Sequence, residues 1–147
     1  MTDLYIAGYA SRFGEVDLSG DIVQRGAFSA ALLSRSAPFP MLFGHQTQTP
    51  IGVWDRVFED NIGLYVGGRL LDEASKARRL VESGAVSGLS IGYRTRRAAP
   101  RKSGGRILTE IDLWEVSVVA FPMLRSARIT HIGDTSETNA TNHRRSA

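Results

Sequence analysis

Apolar and polar residues alternate over much of this chain, and the alternation breaks where glycine, proline and aspartate gather. The opening "DLYIAGYASRF" (3–13) is rich in aromatic and β-branched residues and reads as a strand. "GEVDLSGD" (14–21) consists largely of turn formers and reads as a loop. In "GAFSAALLSRSA" (26–37), Phe28, Ala31 and Leu32 fall at helical spacing and Pro38 ends the run, which predicts a short helix. "FPMLFGH" (39–45) is a short buried strand, and "IGVWDRVFED" (51–60) with "GLYVGGRLL" (63–71) predicts a hairpin turning at Asp60-Asn61. In "DEASKARRLVESG" (72–84), Asp72 is placed to cap a helix. Ala74, Ala77, Leu80 and Val81 share one of its faces, and Gly84 stops it. "SGLSIGYRTRR" (87–97) and "RILTEIDLWEVSVVAF" (106–121) read as strands flanking the turn "RKSGG". The polar stretch 134–147 has no apolar periodicity and is expected to be a disordered tail behind a domain of residues 1–133.

This gives six or seven strands and two short helices, joined mostly through hairpins. The fold expected is mainly β with short helices, a small antiparallel β-barrel or sandwich, and not a doubly wound parallel sheet.

Composition narrows this only a little. A chain of 147 residues is one domain with a core of its own, and the absence of cysteine removes disulfides, thiolate chemistry and Cys-based zinc sites. No apolar run approaches the ~20 residues of a membrane span. "MTDLYIAGYASRF" also lacks the build of a signal peptide, so the chain is expected to stay inside the cell that makes it. Net charge is +3. The basic residues cluster in "RTRRAAPRK" (94–102) and at Arg144 and Arg145; such a cluster suits an acidic partner or nucleic acid, but is more often a solvated loop.

Candidate chemistry centres on "GLSIG", Gly88 to Gly92, which matches the G-x-S-x-G nucleophile elbow of α/β-hydrolases. The context is wrong for an elbow. A helix must follow the serine, whereas "IGYRTRRAAPRKSGG" follows Ser90, and the only later histidines, His131 and His143, lie near or in the tail. On a strand, Gly88, Ser90 and Gly92 share one face while Leu89, Ile91 and Tyr93 share the other. The two glycines then let a substrate backbone approach the hydroxyl. A serine needs a base, and His45, at the end of an apolar strand, is the candidate by elimination. In "DLWEVSVVAF" the expected alternation puts Trp114, Val116 and Val118 in the core and turns Glu115 and Ser117 away from it. Glu115 is then an acid able to orient an imidazole. Asp112 is the alternative, and Asp17 and Asp21 are weaker ones.

Five segments in order, "GYASRFGEVDLSGDIVQRGAF", "PMLFGHQTQTPIG", "GLYVGGRLL", "VSGLSIGY" and "LWEVSVVAFP", give the chain a resemblance to the prohead maturation proteases of tailed phages. These are related in fold to the herpesvirus assemblin serine proteases, and similar enzymes occur in gene transfer agents. The resemblance spans about residues 4 to 130 and departs from the family where "PMLRSARI" replaces a "PANP"-like stretch. It implies a herpesvirus-protease-like β-barrel and a serine endopeptidase with His45 as general base, Ser90 as nucleophile and Glu115 as third member. It further implies that scaffold protein, or the N-terminal scaffolding region of the major capsid protein precursor, is cut inside assembling procapsids in the bacterial cytoplasm. No cofactor or metal is implied. Self-cleavage in the tail and homo-oligomerisation are compatible with it, a membrane is not expected, and the oxyanion donor is either backbone N–H near Ser90 or an arginine of "YRTRR". The rivals are a non-catalytic procapsid assembly factor and a small barrel for single-stranded nucleic acid. The latter is disfavoured because "RTRRAAPRK" carries no aromatic residue.

Overall fold

The computed structural model describes residues 3–133. In chain order the elements are β1 (Leu4–Arg12), β2 (Ile22–Val23), α1 (Ser29–Ser34), β3 (Phe39–Phe43), β4 (Gly52–Glu59), β5 (Gly63–Leu70), α2 (Ser75–Glu82), β6 (Gly88–Pro100), β7 (Arg106–Val119) and β8 (Ile129–Gly133). They form one sheet in the order β2-β7-β3-β4-β5-β1-β8, with β6 paired along the other edge of β7. The pairings are mainly antiparallel, but β2 and β3 both run parallel to β7.

The expected closed barrel is not formed. β6 and the segment before β8 meet only at an isolated bridge, Gly88 with Arg128, flanked by hydrogen bonds from Leu89 N to Ala127 O and from Ile129 N to Ser87 O. From Ile129 onward that segment leaves to pair with β1, so no ladder develops across the seam. The fold is thus mainly β with two short helices, but the sheet stays open.

Strand β1 shows how alternation builds the interior. Leu4 and Ile6 enter the main core, while Tyr5, Ala7 and Tyr9 form a second buried cluster with Tyr65. The main core is closed by Trp54, Met41, Leu64, Leu89, Leu108, Val116 and Val118, all nearly or fully inaccessible. Trp54 satisfies its indole N–H on the Val116 carbonyl at 2.9 Å, and so fastens β4 to β7 across β3.

Helix α2 buries Ala77 and Val81 and packs Ala74 and Leu80 against the core, the face its periodicity predicts. Gly84 leaves it at φ +82°. The expected Asp72 cap is not made. The helix begins at Ser75, and Asp72 instead accepts from Arg78 while its own N–H donates to Asp3. Helix α1 is only six residues long, and its start is held by Glu59 of β4, which accepts from Phe28 N and Ser29 Oγ. No helix among the described residues is long and apolar enough to cross a membrane. Residues 134–147, with the expected tail, His143, Arg144 and Arg145, lie outside the described residues.

The loop 13–21 is tied to the start of β7 by Asp21, which accepts from Arg106 Nη2 at 2.8 Å and from Arg106 N at 3.0 Å. The Arg106 hydrogen bond and charge hold the Asp21 carboxyl below the ordinary carboxylate range. A depressed folded value means that the unfolded chain takes up the proton first as pH falls. The stabilisation is therefore complete above the ordinary carboxylate range of ~4 and is lost as pH drops through the lower folded value. Asp21→Asn is expected to cost about 1–3 kcal/mol at neutral pH and less near pH ~2. Urea midpoints of both proteins at the two pH values check this, and an equal gap at both would refute it.

Candidate active site

β7 lies between β3 and β6 and carries two polar side chains on the face opposite its core valines. In register, Leu42 and Ser90 flank Ser117 from the two sides, and Gly92 stands opposite Glu115. At the end of β3 the chain turns through two left-handed residues, Gly44 at φ +58° and His45 at φ +62°. Such a φ is uncommon for a residue with a side chain, although histidine visits it more than most. Hydrogen bonds from Gly44 N to Val118 O at 3.0 Å and from His45 N to Ser117 Oγ at 2.9 Å hold the turn against β7.

The turn lays the imidazole across β7 towards β6. His45 Nδ1 is 2.5 Å from Glu115 Oε2, and His45 Nε2 is 3.2 Å from Ser90 Oγ. Glu115 is buried, and its other oxygen, Oε1, accepts the Ser117 hydroxyl at 2.8 Å. Three residues spread over 70 positions of sequence thus form one hydrogen-bonded line, acid to imidazole to hydroxyl.

The prediction that Glu115 and Ser117 turn away from the core holds, but neither faces solvent: Ser117 is fully buried and Trp114, expected inside, is 54% exposed. The cause is a bulge. The register between β6 and β7 slips between Gly92–Glu115 and Tyr93–Leu113, so Trp114 is the extra residue and Leu113 takes the core position.

The two glycines of "GLSIG" also have a packing role. A Cβ at Gly88 would strike Pro122, and one at Gly92 would overlap the Glu115 carboxylate. The absent side chains make room for protein, and at Gly92 specifically for the acid of the line. Ser90 borders a small cleft of about 40 Å³ together with Ser11, Arg12, Leu89, Ile91 and Met123.

The sequence matches the family described as caudovirus prohead serine protease over residues 1–144. The chain belongs to that family. The resemblance read from the five segments is borne out. The prohead protease of Enterobacteria phage HK97 is 39% identical over 131 residues, which are 83% of this chain and 57% of that protein. The chain therefore spans little more than half the length of this curated relative. In fold it is similar to the KSHV protease solved with a hexapeptide phosphonate inhibitor, with a TM-score of 0.66 and 16% identity over 95% of this chain and 68% of that one. It is also similar to the capsid assembly protease gp21 of bacteriophage T4, with a TM-score of 0.62 and 15% identity over 80% and 82%.

The other residues singled out in this prohead protease family member fall away from the line. Asp112 accepts from Trp114 Nε1 at 3.4 Å and makes no hydrogen bond to His45 among the described residues. Asp17 binds Ser19, and Asp21 binds Arg106. His131 lies on β8 opposite Ala7 with its Nε2 buried and unpartnered. Of the "YRTRR" arginines, Arg96 and Arg97 lie 3.9 and 3.4 Å from Glu110. At ~3.3 Å per strand residue, Arg94, Arg96 and Arg97 stand roughly 13–23 Å along β6 from Ser90. Among the described residues no three His, Cys, Asp or Glu side chains gather in a way that could hold a metal ion. Sequence reasoning missed Ser117, whose position inside "VSVV" looks like any strand serine.

Proposed function

We propose that this chain is a serine endopeptidase of procapsid maturation, with Ser90 as nucleophile, His45 as general base and Glu115 as the orienting acid. The observation that carries the reading is the imidazole held between a buried carboxylate and a hydroxyl at hydrogen-bonding distances. Glu115 can only accept, so His45 Nδ1 carries the hydrogen and Nε2 presents its lone pair to Ser90. Ser90 Oγ attacks a peptide carbonyl as its proton passes to Nε2. The imidazolium, stabilised by Glu115, returns that proton to the leaving amine, and water then enters by the same route to release the acyl group. Backbone N–H groups near Ser90 fit the role of donors to the oxyanion.

The substrate that family membership supports is scaffold protein, or the N-terminal scaffolding region of the major capsid protein precursor. Cleavage takes place inside the assembling procapsid of a tailed phage or gene transfer agent in the bacterial cytoplasm. Co-expression of this chain with the capsid protein precursor, read by intact mass, tests it. The expected result is a shortened precursor with the wild type and a full-length one with Ser90→Ala. A precursor that stays full length with both while procapsids still form would make the chain an assembly factor with a protease fold.

A further inference from the structure

We propose that Ser117 is a positioning residue for this reaction, fixing both the acid and the histidine through one hydroxyl. The inference rests on the reading of Ser90, His45 and Glu115 given above.

Ser117 is fully buried on β7, and its Oγ is bonded in two directions. It accepts from His45 N at 2.9 Å and donates to Glu115 Oε1 at 2.8 Å. The polarity of both bonds is forced. A backbone N–H can only donate and a carboxylate can only accept, so the single hydroxyl hydrogen must point at Glu115. That engages Oε1 and leaves Oε2 for His45 Nδ1. At the same time the acceptor side of the hydroxyl holds the histidine backbone at φ +62°, a conformation the residue does not favour by itself. Register puts Ser117 directly opposite Ser90 on β6 and Leu42 on β3. One side chain therefore sets the carboxylate rotamer and the origin of the imidazole, next to the strand that carries the nucleophile.

A merely structural serine would be easily replaced here. Its neighbours Val116 and Val118 are apolar, so strand packing alone asks for no hydroxyl at this position. The hydroxyl's effect is on geometry, because removing an outer partner that orients a reacting group typically costs about 10–100-fold in activity.

The test uses the full chain and a peptidyl diphenyl phosphonate. Ser90 Oγ bonds to phosphorus, phenoxide leaves, and the hydroxyl proton passes to His45 Nε2; intact mass follows the adduct. Ser117→Ala is expected to slow maximal labelling about 10–100-fold with little change in half-saturating reagent. Ser117→Thr, which keeps the hydroxyl, is expected to recover most of the rate. In a Glu115→Gln background, Ser117→Ala is expected to change the rate less than about two-fold, since the carboxylate whose orientation it sets is no longer there to hold the imidazole in its productive tautomer. Wild-type labelling by Ser117→Ala, or the same slowing in both backgrounds, overturns the proposal. If wild type and Ser90→Ala label alike, the protease reading falls first and this inference with it. If labelling requires Ser90 while Ser117→Ala keeps the full rate, this inference alone falls.

Discussion

His45→Ala is expected to slow precursor cleavage about 10⁶-fold, Ser90→Ala to be as severe, and the double variant to be no worse than either. A serine hydroxyl is a weak nucleophile at neutral pH, and removing the base leaves the proton with no acceptor at the moment of attack. Each residue is useless to acyl transfer without the other, so their losses do not add. What survives, about 10³–10⁴ over water, comes from substrate positioning and oxyanion donors that neither substitution touches. Folding is a smaller concern, because the His45 side chain is 43% exposed and surface changes of this kind cost little. The backbone is a sharper one, since alanine at φ +62° is disfavoured by roughly 1–2 kcal/mol. His45→Gly avoids that strain and is expected to be as inactive as His45→Ala. Timed cleavage of purified precursor, followed by intact mass, measures all four proteins. Losses that multiply in the double variant would mean that the two residues act independently and do not form one proton-transfer pair.

How far the site could be read from the sequence depended on whether the signal was local. The aromatic and β-branched run of β1, the buried face of α2 and the hairpin of β4 and β5 at Asp60-Asn61 are properties of neighbouring residues, and they were legible. The pairing of β6 with β7 was legible for the same reason. The bulge at Trp114 was not. A slip of one residue moves every side chain beyond it to the other face, and nothing in "DLWEVS" marks where the ladder skips. Two short strands were missed because they exist by virtue of their partners. β2 is two residues held parallel to β7, and β8 is five residues closing the free edge of β1. Barrel closure was misjudged because it depends on whether residues 127–129 continue along β6 or depart along β1, a choice made by the whole sheet. The left-handed turn at His45 had only Gly44 to announce it, and the role of Ser117 required knowing that three strands meet there.

The same geometry fixes what an amide at position 115 would do, and Glu115→Gln is expected to slow cleavage about 10⁴-fold while Asp112→Asn stays within about two-fold of wild type. Glutamine has the size of glutamate and keeps the strand packing, so the change is one of hydrogen-bond sense. The Ser117 hydroxyl hydrogen points at Oε1 and demands an acceptor there, which places the amide oxygen against Ser117. The amide NH₂ then faces His45 Nδ1, which must accept in place of donating. The imidazole hydrogen moves to Nε2 and points at Ser90 Oγ, 3.2 Å away, so the nitrogen that should take the serine proton already carries one. The imidazolium also loses the negative charge that stabilises it. Asp112, bonded to Trp114, takes no part in the line, and its amide variant leaves the tautomer untouched. Precursor cleavage measured alongside the ¹⁵N chemical shifts of His45 separates cause from consequence: wild type should carry its hydrogen on Nδ1 and Glu115→Gln on Nε2. A Glu115→Gln protein that cleaves at the wild-type rate, or an inactive Asp112→Asn protein with normal stability, would remove Glu115 from the role assigned to it.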